Sequence, residues 1–193
     1  MTTTNDQIII DKVLKGNTNA FSELVNLYKD LVFSLAIKMT KNREEAEEIS
    51  QDTFVKAFKN LSKFKGDSKF STWLYKIAYH ACLDRFKKNK ILYKTDSIDN
   101  SVIQIESVND TLQSIERKER AQIMEECLTQ LPEDERTILW FFYYQELSLK
   151  EIVEITNFSE ANIKVKLHRA RKRLLTIVND TFEPEMIQHY GKR

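Results

Sequence analysis

Glycine, proline and cysteine are all scarce in this 193-residue chain, which contains three, two and two of them. Glycine and proline interrupt helices, and apolar residues recur here at helical spacing, so the sequence predicts an all-α fold. Cys82 and Cys127 each stand alone in an apolar helical pattern. This is atypical of a disulfide framework or a zinc site and indicates a reducing compartment.

Long apolar runs are also missing. No stretch approaches the roughly eighteen apolar residues of a transmembrane helix, so we expect no membrane insertion. The first residues, "MTTTNDQIII", lack the basic region and sustained apolar run of a signal peptide. We therefore expect a cytoplasmic protein.

Catalytic signatures are absent as well. His80, His168 and His189 are far apart, and no HExxH, CxxC or phosphate-cradling glycine loop occurs. The acidic run 44–48 could suggest a di-iron site, but no Glu-x-x-His motif accompanies it. We expect no catalytic residues, no metal and no cofactor.

Charge is segregated along the chain, although the formal net charge is only +1. Residues 54–90 hold ten Lys/Arg and two acids, and residues 162–173 hold six Lys/Arg and no acid. Residues 95–116, between these blocks, hold five acids and no Lys/Arg. Surface of one sign at this density favours a polyanionic partner, because each neutralised phosphate releases counterions.

The periodicity divides the chain into two small helical domains. Short and long helices over 8–15 and 21–39 precede a helix that opens with an Asn42–Glu45 capping box. A loop over 62–70 then leads to a helix capped by Ser71. The predicted boundaries are 1–90 for the first domain, 91–114 for a flexible acidic linker, 115–179 for the second domain and 180–193 for a tail.

The second domain contains a helix-turn-helix pattern. Ser148 and Glu151 form a capping box before a short helix, "TNFS" turns the chain, and Ser159 caps a long basic helix. At 100° per residue, apolar residues from Ile163 to Val178 share one face of that helix, and basic residues cover the rest. We expect this helix to enter a DNA major groove with the residues Ser159, Asn162, Lys164, Val165, Lys166, His168, Arg169 and Lys172.

Aromatic and lysine residues alternate between 63 and 79. Aromatic rings stack on bases that have left the duplex, each contact contributing roughly 1–3 kcal/mol. Some of these rings must belong to the core. Tyr75, Lys76, Tyr79 and His80 point away from the main apolar row of their helix, so we expect them, with the loop 65–70, to bind single-stranded DNA.

Three segments together resemble the signature regions of bacterial extracytoplasmic-function sigma factors. They are "AEEISQDTFVKAFKNL", "FKGDSKFSTWLYKIAYHACLDRFKK" and "LPEDERTILWFFYYQELSLKEIVEITNFSEANIKVKLHRARKRLL". The resemblance extends from about Phe21 to Val178, and the motifs occur in the family's order.

The resemblance implies a sigma factor that binds the clamp and flap of core RNA polymerase and directs initiation at promoter DNA. Its second domain would read the −35 duplex, and an anti-sigma factor would be a further partner. Clamp binding would use Glu47, Glu48, Gln51 and Asp52, with Phe54 packing beneath. Binding and melting of the −10 element would use Lys65, Asp67, Ser68, Phe70, Thr72, Trp73, Tyr75, Lys76, Tyr79 and His80.

The chain departs from the family pattern at four positions. The family usually has Asn at the place of His80, often Arg at Tyr79, and a small polar residue at Val165. These three changes alter groups expected to touch bases. The usual turn glycine is replaced by Asn157, which can itself adopt a left-handed conformation.

The 27 residues from Asn89 to Ile115 span at most about 90 Å when extended. Two duplex turns separate the promoter elements by roughly 70 Å. The linker must therefore be nearly straight if both domains bind together.

Two other functions remain compatible with the sequence. One is a stand-alone helix-turn-helix regulator with an N-terminal interaction domain. The other is a nucleic-acid enzyme that uses the aromatic segment as a strand channel.

Overall fold

A computed structural model of the chain describes residues 4–92 and 112–181, and within these ranges the regular structure is entirely helical. This confirms the all-α prediction. Eight α-helices are present in the described ranges: α1 Thr4–Leu14, α2 Phe21–Thr40, α3 Arg43–Lys59, α4 Phe70–Leu92, α5 Leu112–Thr129, α6 Glu133–Tyr143, α7 Leu149–Thr156 and α8 Glu160–Thr181.

The helices group into two units. The first contains α1 to α4 together with residues 150–158, which include nearly all of α7. The second contains α5, α6 and α8. Most of the predicted linker (residues 93–111) and of the predicted tail (residues 182–193) lies outside the described residues.

The core of the first unit forms where α2, α3 and α4 pack on one another. Leu24, Leu35 and Leu74 are fully buried there. Helix α1 adds Ile10 to this core, and the Tyr28 hydroxyl donates a 2.8 Å hydrogen bond to the buried Asp6 carboxylate. The pKa of the Tyr28 phenol lies far above its ordinary value, mainly because the ring is buried and to a lesser extent because Asp6 accepts its hydrogen bond and is negatively charged.

Local sequence signals set several helix ends. The Asn42 side chain accepts a 3.0 Å hydrogen bond from the Glu45 amide and so caps α3, as predicted. Gly16, with φ at 103°, follows α1 in the left-handed region that glycine adopts without strain. The prediction of Ser71 as the cap of α4 was wrong, because the helix already begins at Phe70.

A smaller apolar cluster holds the second unit together. Leu128, Leu131, Leu139 and Ala170 are buried against each other, and Met124, Leu174 and Ile177 pack around them. These residues come from all three helices of the unit and from the turn that follows α5.

Three residues separate α7 from α8, and both chemical predictions for this turn are confirmed. Asn157 has a φ of 59° in the left-handed region. The Ser159 hydroxyl accepts a 3.2 Å hydrogen bond from the Asn162 amide and so caps α8.

Candidate polymerase and nucleic-acid interfaces

The acidic surface of α3 has the arrangement expected of a docking face. Glu47, Glu48, Gln51 and Asp52 are exposed, and Phe54 is buried beneath them. Arg43 pairs with Glu47 at 2.9 Å and Arg85 pairs with Glu48 at 2.6 Å. The hydrogen bond that Arg85 donates to Glu48 is the largest contribution that raises the pKa of the Arg85 guanidinium.

The rings expected to stack on DNA bases are mostly core residues. Tyr75 and Tyr79 are only 1% and 3% exposed, and Phe70 and Thr72 are fully buried. The expectation that the rings of Phe70, Tyr75 and Tyr79 are exposed for stacking was therefore wrong.

The error has a geometric cause. Helix α4 packs against both α2 and α3, so its buried residues cover roughly 200° of the helix circumference at 100° per residue. The sequence indicated an apolar row through Leu74, Ala78 and Cys82 with a neighbouring row through Trp73, Ile77 and Ala81. The buried arc instead extends to the opposite side of the first row, where it includes Tyr75 and Tyr79. The side chains of Trp73, Lys76 and His80 lie on the remaining arc and are partly exposed.

An aromatic cluster anchors the loop before α4. The ring centroid of Phe64 lies 5.5 Å from that of Phe70 and 5.3 Å from that of Trp73, and Tyr28 lies 5.4 Å from Phe70. Aromatic pairs at such distances stabilise one another beyond their buried area. The anchored loop exposes Lys65 and Asp67 and leaves Ser68 half-buried.

Helix α7 contacts this loop and the first turns of α4. The Ser68 hydroxyl donates a 2.7 Å hydrogen bond to Glu154, and Lys69 pairs with Glu151 at 2.9 Å. Glu151 also accepts a 3.3 Å hydrogen bond from the Thr72 hydroxyl. These contacts were not predicted from the sequence, because the pattern around Glu151 indicated only a helix cap and Glu154 belongs to no motif.

His80 lies at the end of the same contact. Its Nε2 atom is 3.1 Å from Nδ2 of Asn157. Burial is the largest contribution that lowers the pKa of the His80 imidazole, and the charges of Lys76 and Lys87 lower it further. The neutral ring is therefore favoured, and it can accept a hydrogen bond from the Asn157 amide.

The exposed face of α8 lies opposite its apolar stripe. Ile163, Leu167 and Ala170 are buried, and Leu174 and Val178 are half-buried. Seven of the eight residues predicted to contact duplex DNA on or beside this face are exposed: Ser159, Asn162, Lys164, Val165, His168, Arg169 and Lys172.

Lys166 differs from that group. Its ammonium pairs with Asp134 of α6, and its side chain is only 18% exposed. Burial acts to raise the pKa of the Asp134 carboxyl, but the hydrogen bond and charge of Lys166 outweigh it and hold that pKa below its ordinary value. Lys166 thus takes part in the packing of α6 on α8.

Two further cations of α8 have acidic neighbours. Lys164 pairs with Glu160 at 2.7 Å, and Arg173 lies 3.6 Å from the buried Glu135 carboxylate. A face of a single sign was expected because the segment 162–173 contains no acid. Glu160 lies in the first turn of α8, just before that segment, and Glu135 belongs to α6, which a helical wheel drawn for α8 alone does not contain.

No group of three or more His, Cys, Asp or Glu side chains that could hold a metal occurs in the described part of the chain. Within the same residues, no helix combines the length and apolar character needed to cross a bilayer.

Comparison with known proteins gives matches to both halves of the chain. The family model for Sigma-70 region 2 matches residues 24–91, and that for Sigma-70, region 4 matches residues 121–174. The chain is 34% identical over 178 residues to the ECF RNA polymerase sigma factor SigW of Bacillus subtilis, covering 89% of this chain and 95% of SigW.

A second relative, the ECF RNA polymerase sigma factor SigM of Bacillus subtilis, is 32% identical over 158 residues, covering 81% of this chain and 94% of SigM. The fold is similar to that of the sigma factor RpoE from Bartonella quintana, solved with the anti-sigma factor NepR. That match has a TM-score of 0.67 and 21% identity and covers 82% of this chain and 96% of that one.

Proposed function

The chain belongs to the extracytoplasmic-function sigma factors, and on that premise we propose which of its surfaces performs each step of promoter recognition. As a sigma factor it binds core RNA polymerase and directs initiation at specific promoters. The exposed carboxylates of α3 dock on the polymerase clamp, and the buried Phe54 ring holds the helix that presents them.

The −10 element binds the surface formed by the loop before α4 and the open arc of α4. Lys65 and Lys76 face the phosphates, since cations on either side of a strand neutralise its backbone. Trp73 and His80 are the rings of that arc that remain partly exposed and can stack on or hydrogen-bond to unpaired bases. Phe70, Tyr75 and Tyr79 support this surface from within the core, whereas the Thr72 hydroxyl belongs to the surface and is buried by its hydrogen bond to Glu151 of α7.

The −35 duplex binds the exposed face of α8. The observation that best supports this role is the exposure of Val165, His168, Arg169 and Lys172 opposite the buried stripe of the same helix. A helix with this division can enter the major groove while its apolar side stays in the protein core.

Membership in the family also bears on catalysis, cellular location and a further partner. The polymerase supplies the chemistry, so the chain has no catalytic activity of its own and needs no cofactor. It acts in the cytoplasm, where the polymerase transcribes. An anti-sigma factor is a further partner, as one is for the RpoE protein whose fold is similar.

The test is reconstitution with purified core RNA polymerase on a template library with a randomised promoter region. We expect the full chain to co-purify with the core enzyme and to yield transcripts from templates that share two elements about two turns apart. A stand-alone regulator would instead bind duplex DNA as the free protein and leave the polymerase's start sites unchanged.

A further inference from the structure

Several groups of the proposed −10 surface already have partners within the first unit. Ser68 and Thr72 donate to carboxylates of α7, and His80 lies within hydrogen-bond distance of Asn157. Lys69, in the same loop, forms an ion pair with Glu151. The four contacts run from the loop along α4, so α7 and the turn after it follow the surface proposed to bind the −10 strand.

The chemistry of these contacts matches that of a nucleic-acid backbone. Glu151 and Glu154 present carboxylate oxygens to two hydroxyls and an ammonium, which are groups that proteins commonly use on phosphate oxygens. The Glu151 side chain is only 18% exposed, so this carboxylate takes the place of solvent at the loop. A phosphate and a carboxylate cannot occupy the same donors together.

We propose that α7 is an intramolecular competitor of promoter DNA: in the free chain Glu151 and Glu154 cover the −10 surface and must leave before DNA binds there. This inference rests on the proposed function, because it concerns the same −10 surface. The uncovered form is then a minor population, and the apparent dissociation constant for DNA rises by the inverse of its fraction.

The balance between covered and uncovered forms can be shifted by binding. Lys69 is 53% exposed, so its pair with Glu151 is open to solvent and easily exchanged. A partner that binds α7 away from α4 uncovers the −10 surface, and it need not contact that surface itself. Core polymerase is such a partner, since α7 belongs to the helix-turn-helix that reads the −35 element.

The first test measures DNA binding by the free full-length chain. The probe is a fluorescein-labelled, mixed-sequence single-stranded 15-mer, read by fluorescence anisotropy at fixed salt. The variant is Glu151→Gln/Glu154→Gln, in which glutamine keeps the helix-capping potential of position 151. We expect it to bind the probe at least fivefold more tightly than the wild type.

A charge-matched control is needed because removing any two acids favours DNA binding. Glu146→Gln/Asp180→Asn removes two charges at exposed positions outside the contact, and we expect less than a twofold gain. Equal gains for the two double variants would overturn the proposal, since only general electrostatics would then be at work.

A second test locks the contact and keeps the proposal open to refutation if the first variants are unstable. Ser68→Cys/Glu154→Cys is joined by a short, reducible bismaleimide; the native Cys82 and Cys127 are buried. With core polymerase, the locked chain should form at least tenfold fewer open complexes on a selected promoter than the same chain after reduction. Failure to cross-link, or normal opening by the locked chain, would refute the covering role.

These outcomes separate the inference from the proposed function. If the wild type directs no promoter-specific initiation with core polymerase, the proposed function itself fails. If initiation is normal while both tests are negative, only the covering role of α7 fails.

Discussion

At the scale of single residues, the ring of Tyr75 shows what burial does to a candidate DNA contact. The ring is 1% exposed, and burial raises the pKa of its phenol far above the ordinary value. A ring held inside the protein cannot stack on a base. Its effect on promoter opening can only be indirect, through the position of α4.

Tyr75→Ala should lower the free energy of unfolding by about 3–5 kcal/mol, because it leaves a large cavity beneath α4. Urea denaturation followed by circular dichroism measures this. Lys76→Ala, one residue further along, is the matched control: we expect a change within about 0.5 kcal/mol in stability but weaker DNA binding by the polymerase complex. If the Tyr75→Ala variant is as stable as the wild type but opens DNA strands more slowly, Tyr75 contacts the bases directly.

At the scale of elements, the sequence predicted those helix ends and turns that depend on residues only a few positions apart. The caps at Asn42 and Ser159 and the left-handed Asn157 depend on neighbours a few residues away, and all three were predicted from the sequence. The width of the buried arc on α4 depends on how many helices pack against it, which a helical wheel does not contain. The partners of Glu151 and Lys166 lie 79 and 32 residues away and were missed for the same reason.

On α8, Arg169 and Lys166 were both predicted to contact DNA, but Arg169 is exposed whereas Lys166 pairs with Asp134. Arg169→Ala should weaken promoter binding by the polymerase complex and, where a phosphate contact is lost, lower the slope of log K against log salt by about 0.9. Filter binding across a salt series measures this slope.

Lys166→Ala should act mainly on stability, because it leaves the partly buried Asp134 carboxylate without its cation. We expect a lower melting temperature and a salt slope close to that of the wild type. The double variant Lys166→Ala/Asp134→Asn should recover part of the lost stability. An Arg169→Ala variant with an unchanged slope and affinity would show that this face does not contact DNA.

At the scale of the whole molecule, specificity depends on joining two weak readers in one chain. Once one promoter element is bound, the second contact becomes intramolecular, and its strength depends on the length of the connection. Acidic residues and the absence of Lys/Arg over 95–116 disfavour binding of this connection to DNA itself. Its length is therefore the property to vary.

Residues 93–111, between the end of α4 and the start of α5, number 19 and span at most about 65 Å when extended, close to the roughly 70 Å between the two elements. Removal of ten of them leaves a reach of about 30 Å. We expect this variant, with the deletion placed in 95–110, to retain binding to core polymerase but to lose initiation at least tenfold on promoters that need both elements. The measurement is run-off transcription with reconstituted polymerase.

Insertion of ten Gly/Ser residues at the same place is the control. The effective concentration of the second domain falls only slowly with linker length, so a loss of about twofold is expected. Equal losses for shortening and lengthening would show that reach does not limit the protein, and that the two domains need not bind their elements together.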